Sequence, residues 1–160
     1  APRIAGAPQG VTDAAGLRCV AMGIGGFLGV SVAVSWSLTL CWFDITRRRL
    51  PNALTVPPAL AGVVATLVAL AVGQPQIVGA LLWPGIYLAS GRGIGGGDIK
   101  LAVSLGVVCA AVGGLPAVLL AIGLSGLVTG CFAAVSGSRT MPHGPSMLAA
   151  AWGAGMYFGV

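Results

Sequence analysis

From Cys19 to Phe43, from Leu50 to Gly91 and from Leu101 to Ser138 the chain carries no charged side chain. Runs of this kind constrain the fold more than any other feature, because about 20 apolar residues at about 1.5 Å each cross the roughly 30 Å of hydrocarbon in a bilayer. The first run makes one helix. The second and third are each long enough for two crossings, and each is interrupted by Gly and Pro, at "GQPQ" (Gly73 to Gln76) and at "GGLP" (Gly113 to Pro116). A shorter stretch at the C-terminal end supplies one more. The expected fold is all-α, a polytopic membrane protein with a bundle of six transmembrane helices at approximately 18–43, 53–73, 76–90, 98–113, 115–136 and 144–160. Residues 1–16 form a short tail, and 17–160 form one membrane domain. Composition agrees: 57% of the 160 residues are hydrophobic and 7% are charged. The mean hydropathy is +0.99, and so few charges cannot clothe a water-facing surface.

The net charge of +5 does not point to nucleic acid, because the basic residues sit singly or in short groups between apolar runs instead of forming a stripe. Cys19, Cys41, Cys109 and Cys131 stand apart from one another and from the single His, so neither a metal site nor a disulfide framework is expected. No cofactor is implied.

With six crossings, Arg47, Arg48, Arg49, Arg92, Lys100 and Arg139 all fall in loops on one side, and the opposite loops are uncharged. The positive-inside rule makes that side cytoplasmic and turns both termini outward. The acidic residues then fall into place. Asp44 closes the first helix, and Asp98 opens the fourth after two further crossings, so both lie at the cytoplasmic face; Asp13 lies in the outer tail. Each of the pair has an ordinary structural role open to it. Asp44 could pair with Arg47 or Arg48 a helical turn on, and Asp98 could sit on free N–H groups at a helix start. Neither role accounts for Gly91, Gly93, Gly95, Gly96 and Gly97 just before Asp98. Such glycines permit close helix packing, as do the GxxxG-spaced pairs Gly25/Gly29, Gly126/Gly130 and Gly155/Gly159. Beside a carboxylate they also leave room for an extended substrate backbone. A phosphate-binding loop is excluded, because Gly-Asp-Ile-Lys stands where Gly-Lys-Ser/Thr is needed.

Two neighbouring carboxylates do not both ionise easily, so the pair offers one acid and one base at one site, the arrangement of aspartic proteases. There is no competing nucleophilic set, since the chain has one His and no Glu.

These residues carry a resemblance. "GGGD" (Gly95 to Asp98) matches the GxGD signature of membrane aspartic peptidases, and its extension "GIGGGDIKLAVSLG" (Gly93 to Gly106) resembles the second catalytic block of the type IV prepilin peptidases. "DITRRRLPNALT" (Asp44 to Thr55) is similar to their first block, and "MPHGPSMLAA" (Met141 to Ala150) to the late block before their last helix. The resemblance implies that Asp44 and Asp98 are catalytic and that Gly95, Gly97, Lys100, Pro142 and Gly144 support the substrate or the loops. It also implies that prepilin-like precursors, with a basic leader and an apolar helix, are cleaved at the cytoplasmic face of the bacterial inner membrane. Larger members carry a cytoplasmic N-terminal region with paired CxxC motifs and N-methylate the new terminus; the short tail here resembles the peptidase-only form and argues against methylation.

The remaining residues are read more plainly. Lys100 biases the pair or holds substrate, or else anchors the helix at the interface. Arg47 to Arg49 meet anionic headgroups. Asn52 caps the second helix, Pro57 and Pro58 fall in its first turns, and His143 is a wet interfacial side chain rather than a third catalytic group. The expected partners are a prepilin-like protein, the bilayer and, as an option, further copies in a homo-oligomer; nucleic acid is not among them. Two other classes compete. A small proton-coupled transporter or channel subunit would carry its carboxylates near the bilayer midplane, and a non-catalytic assembly subunit would be indifferent to losing them.

Overall fold

The computed structural model describes residues 9–91, 94–137 and 142–159, with side chains described from Gly25 onward. Arg3, Arg92, Gly93, Arg139, Met141 and the side chains of Asp13, Arg18 and Cys19 lie outside the described residues. Among the described residues there are only helices: α1 (Gln9–Arg47), α2 (Asn52–Ala71), a 3-10 helix (Pro75–Leu81), α3 (Leu82–Ala89), α4 (Gly96–Ser136) and α5 (Gly144–Phe158). The elements are thus five α-helices and one 3-10 helix where the sequence predicts six α-helices, α4 running through both the expected fourth and fifth. Three of them, Gly25–Arg47, Asn52–Ala71 and Gly96–Ser136, are long and apolar enough to cross a membrane. The chain divides into two compact units at Ser37 and Leu38. The first described unit is the leading part of α1. The second, Leu38–Val160, contains every residue of the candidate site.

α1 runs without a break because no proline interrupts it, and its hydroxyls bond to their own helix. Ser31 donates to the Phe27 carbonyl (2.8 Å), Ser37 to Ala33 (2.8 Å) and Thr46 to Trp42 (2.6 Å), which satisfies polar groups that hydrocarbon cannot. It ends where Arg48 takes the left-handed conformation (φ 49) and Pro51 lies just ahead. Pro51, in an extended conformation, caps α2, its carbonyl accepting the N–H groups of Leu54 and Thr55. The cap is therefore Pro51 and not Asn52, which is already helical and has its side chain drawn to α4, as described below. Pro57 and Pro58 lie inside α2, beyond the first four residues whose N–H groups have no intrahelical partner.

The expected third helix at 76–90 is half 3-10. Pro75 opens the 3-10 turn, and with α3 it rises roughly 26 Å, the tighter winding and larger rise per residue of the 3-10 part lengthening the piece. The expected boundary at "GGLP" is a turn within one helical element: Gly113 (φ −137, ψ 17) and Gly114 (φ 62, ψ −153) leave helical geometry while hydrogen bonding continues on either side. Contacts to α5 show the direction. Gly113 lies against the Phe158 ring at the far end of α5, whereas Thr129 bonds to Ser146 at its near end. The chain therefore goes out along 96–112 and returns along 115–136. No loop residues separate the two legs, because a glycine at positive φ makes the reversal by itself.

Small residues let these helices approach. A Cβ at Gly106 would strike the Ala80 carbonyl, and one at Gly62 would lie 3.4 Å from Val107. Leu40, Trp83, Leu101, Ala102, Val118, Ala121, Met147 and Ala154 fill the core, while Leu38, Trp42, Leu60, Leu67, Leu127, Phe132 and Val135 face outward. An interior in which many alanines stand among a few large side chains, with a leucine- and valine-rich exterior, suits association in lipid, where close packing and not apolar burial drives helix contact. Gly126 and Gly130 have nothing within 4 Å of a hypothetical Cβ, so their spacing marks no contact among the described residues.

Candidate active site

Asp44 occupies the last turn of α1 and is only 6% exposed. A buried carboxylate needs donors, and this one takes a hydrogen bond from far along the chain: the Gly144 N–H, at the first turn of α5, donates to Asp44 Oδ2 at 2.8 Å. The first N–H groups of any helix lack intrahelical partners and mark its positive end, so α5 presents one of them to Asp44. Glycine at 144 lets the two approach, because a Cβ there would lie 2.8 Å from Oδ2 and 3.3 Å from Cγ and one partner would have to shift. Pro142, half-buried, leads into this turn.

Asp98 stands in the first turn of α4, with Gly95 as the N-cap. Its carboxylate turns back to the Gly95 backbone N–H, the return half of a capping box. The Gly95 carbonyl in turn accepts the Asp98 N–H (3.0 Å). The glycines divide by use. Gly95 lies against the Asp98 carboxylate (3.4 Å to Oδ2), Gly96 faces open space, and Gly97 admits Leu50, whose Cβ would be 2.9 Å from a Cβ placed there.

Asp44 and Asp98 both line one cavity of about 240 Å³, together with Arg48, Arg49, Leu50, Gly95, Gly96 and Gly97. Two helix ends and one glycine turn thus bring two aspartates and two arginines to the edge of a shared space. Lys100 sits outside this lining and donates from Nζ to Asn52 Oδ1 at 2.7 Å, tying α4 to the start of α2. Arg47 is placed over the Phe43 ring, 5.3 Å from its centroid. Among the described residues no three or more His, Cys, Asp or Glu side chains gather where they could hold a metal ion.

His143 departs from the expected wet side chain. Both ring nitrogens are engaged, Nε2 with the Tyr87 hydroxyl (2.6 Å) and Nδ1 with Thr129 Oγ1 (2.7 Å). Thr129 Oγ1 also meets Ser146 Oγ at 2.6 Å, and Ser146 Oγ donates to the His143 carbonyl at 2.7 Å. Burial pushes the imidazole below its ordinary pKa, and the Asp44 charge pulls the other way. Trp83 Nε1 and Ser125 Oγ are close to the Tyr87 hydroxyl but make no hydrogen bond of good geometry. Sequence reasoning passed over Tyr87, Thr129 and Ser146. The available signal was Tyr87, an isolated phenol in an uncharged run, whose hydroxyl needs a partner when buried.

A family model described as the type IV leader peptidase family matches residues 31–134, a stretch that takes in both Asp44 and Asp98. The chain belongs to the type IV leader peptidase family. A prepilin leader peptidase/N-methyltransferase of Dichelobacter nodosus is 30% identical over an alignment of 138 residues, with 78% of this chain and 47% of that protein covered. The chain therefore spans about half the length of that relative. No solved structure matches it. The family match ends before His143 and Gly144, so their place beside Asp44 is known from the geometry alone.

Proposed function

We propose that this protein is a membrane-embedded aspartic endopeptidase that removes the leader from type IV prepilin-like precursors, with Asp44 and Asp98 as the water-activating pair. The observation that carries this reading is the shared cavity: the two carboxylates come from helices distant in sequence and line the same space, in a chain of the leader peptidase family. One carboxylate takes a proton from water as the oxygen attacks the scissile carbonyl, and the other, protonated, gives its proton to the carbonyl oxygen. Return of a proton to the amide nitrogen then releases the new N-terminus. Gly95 and Gly96, with no side chains, leave the substrate backbone room beside Asp98. The apolar helix of the precursor enters from the bilayer, and its basic leader stays in the cytosol, on the side where the positive-inside rule puts Arg47 to Arg49 and Lys100.

The helix-end positions of both carboxylates weigh against a proton relay, which needs such groups along the midplane of the spanning segments. The test is cleavage of a co-purified prepilin in detergent, with sequencing of the new N-terminus. Wild-type protein should release one defined terminus, and Asp44→Asn and Asp98→Asn should each release none while keeping the wild-type melting temperature. A single variant that cuts at the normal rate would sink the assignment.

A further inference from the structure

The hydrogen bonds around His143 can be oriented by counting protons. Ser146 Oγ must donate to the His143 carbonyl, which can only accept (2.7 Å). A hydroxyl has one proton, so Ser146 Oγ accepts from Thr129 Oγ1 (2.6 Å). Thr129 has then used its own proton and accepts from His143 Nδ1–H (2.7 Å). In the neutral ring, which burial favours, Nε2 is left as an acceptor for the Tyr87 hydroxyl (2.6 Å). All four bonds are satisfied in one direction and one tautomer, and the longer contact between Nδ1–H and Ser146 Oγ (3.3 Å) runs the same way, Ser146 accepting. The ring is held from α3 on one side and from the returning leg of α4 on the other, and its own carbonyl is held by Ser146. The next backbone group along the chain is the Gly144 N–H that grips Asp44 Oδ2.

We propose that His143 is a positioning residue for the peptide cleavage argued above: clamped by Tyr87 and Thr129, it fixes the Gly144 N–H that holds one oxygen of Asp44. The bond prevents the carboxylate from turning about its Cβ–Cγ axis, so the second oxygen keeps a constant bearing on the water it activates. Placement to a fraction of an ångström is worth a large factor in rate. His143 itself exchanges no proton with substrate. This inference rests on the peptidase reading, and its test includes a measurement that does not.

His143 is the only histidine, so protein grown with carbonyl-13C histidine and 15N glycine contains a single 13C–15N peptide bond, the one to Gly144. Its amide proton reports the bond to Asp44 in the full chain in micelles. Wild-type protein should give one downfield peak, and Asp44→Ala should move it upfield. Tyr87→Phe and Thr129→Val, which keep side-chain volume, should each move the peak toward the Asp44→Ala position. A peak that stays at the wild-type position in both variants overturns the proposal, whether or not the protein cuts a prepilin. In the cleavage assay each variant should lower kcat by about tenfold, the worth of one hydrogen bond, with KM within about twofold. In a His143→Ala background Tyr87→Phe should cost nothing more. An additive loss there, or a raised KM at unchanged kcat, would equally refute a positioning role.

Discussion

Gly144→Ala is the sharpest single test of how Asp44 is held. The added methyl carbon would stand 2.8 Å from Asp44 Oδ2, 3.3 Å from Cγ and 3.5 Å from Cβ. Ordinary contact needs about 3.4 Å or more, so one partner must retreat by roughly half an ångström. The carboxylate is 6% exposed and lies against the start of α5, which leaves two ways to yield. Either Asp44 changes rotamer and drops the 2.8 Å bond from the Gly144 N–H, or the first turn of α5 moves and pulls His143 off Tyr87 and Thr129. Both lose a charge-assisted hydrogen bond worth about 1.5–3 kcal/mol. If that orientation matters in the transition state, kcat for prepilin cleavage should fall by roughly ten- to a hundredfold. The assay is single-turnover cleavage in detergent, with thermal unfolding followed by circular dichroism. Gly123→Ala is the control, because its Cβ would meet nothing within 4 Å and alanine favours the helix by roughly 0.5–1 kcal/mol. A folded Gly144→Ala protein with kcat within about twofold of wild type would refute the reasoning.

Other expectations follow from the same geometry. Gly106→Ala drives a methyl into the Ala80 carbonyl, a backbone atom that cannot swing away; it should lower stability by about 1–3 kcal/mol or more, read as a lost or earlier melting transition. Gly97→Ala meets Leu50 Cβ at 2.9 Å instead, an overlap milder than that with the Ala80 carbonyl, and should cost less in melting temperature than Gly106→Ala. His143 is held below its ordinary value of 6.5 by burial, so the unfolded chain binds its proton first. The stability this contributes is fully present above about pH 6.5 and is lost as pH falls toward the folded value. Between pH 7 and pH 5 the melting temperature of the wild-type protein should therefore shift downward relative to that of His143→Gln, which lacks this contribution.

Much of the fold could be read because lipid makes charge placement expensive: the uncharged runs became helices, and the two acidic residues between them came to one cavity. Partner choice was harder to read. Asn52 is a good cap by type, but Lys100 competes for its oxygen across the interface, and Pro51 already closes the helix start with its carbonyl. The "GGLP" break was visible, yet whether it becomes a loop or a turn inside one helical element depends on Gly114 reaching positive φ with Phe158 packed against Gly113. His143 reads in the sequence as a wet interfacial side chain, because a carboxylate pair needs no third acid. Its actual neighbours, Tyr87 and Thr129, belong to other helices, and no local pattern announces them.

The bond between Gly144 and Asp44 joins residues 100 positions apart, which gives the site an order of assembly. During synthesis Asp44 and Asp98 are both in the membrane well before the first turn of α5 leaves the ribosome. A nascent chain at that stage holds both carboxylates with one of them unbraced. Contacts of such long sequence separation close late, since the chain entropy of the intervening loop must be overcome first. A site whose Asp44 is braced from a helix so far along the chain stays unfinished until that helix arrives.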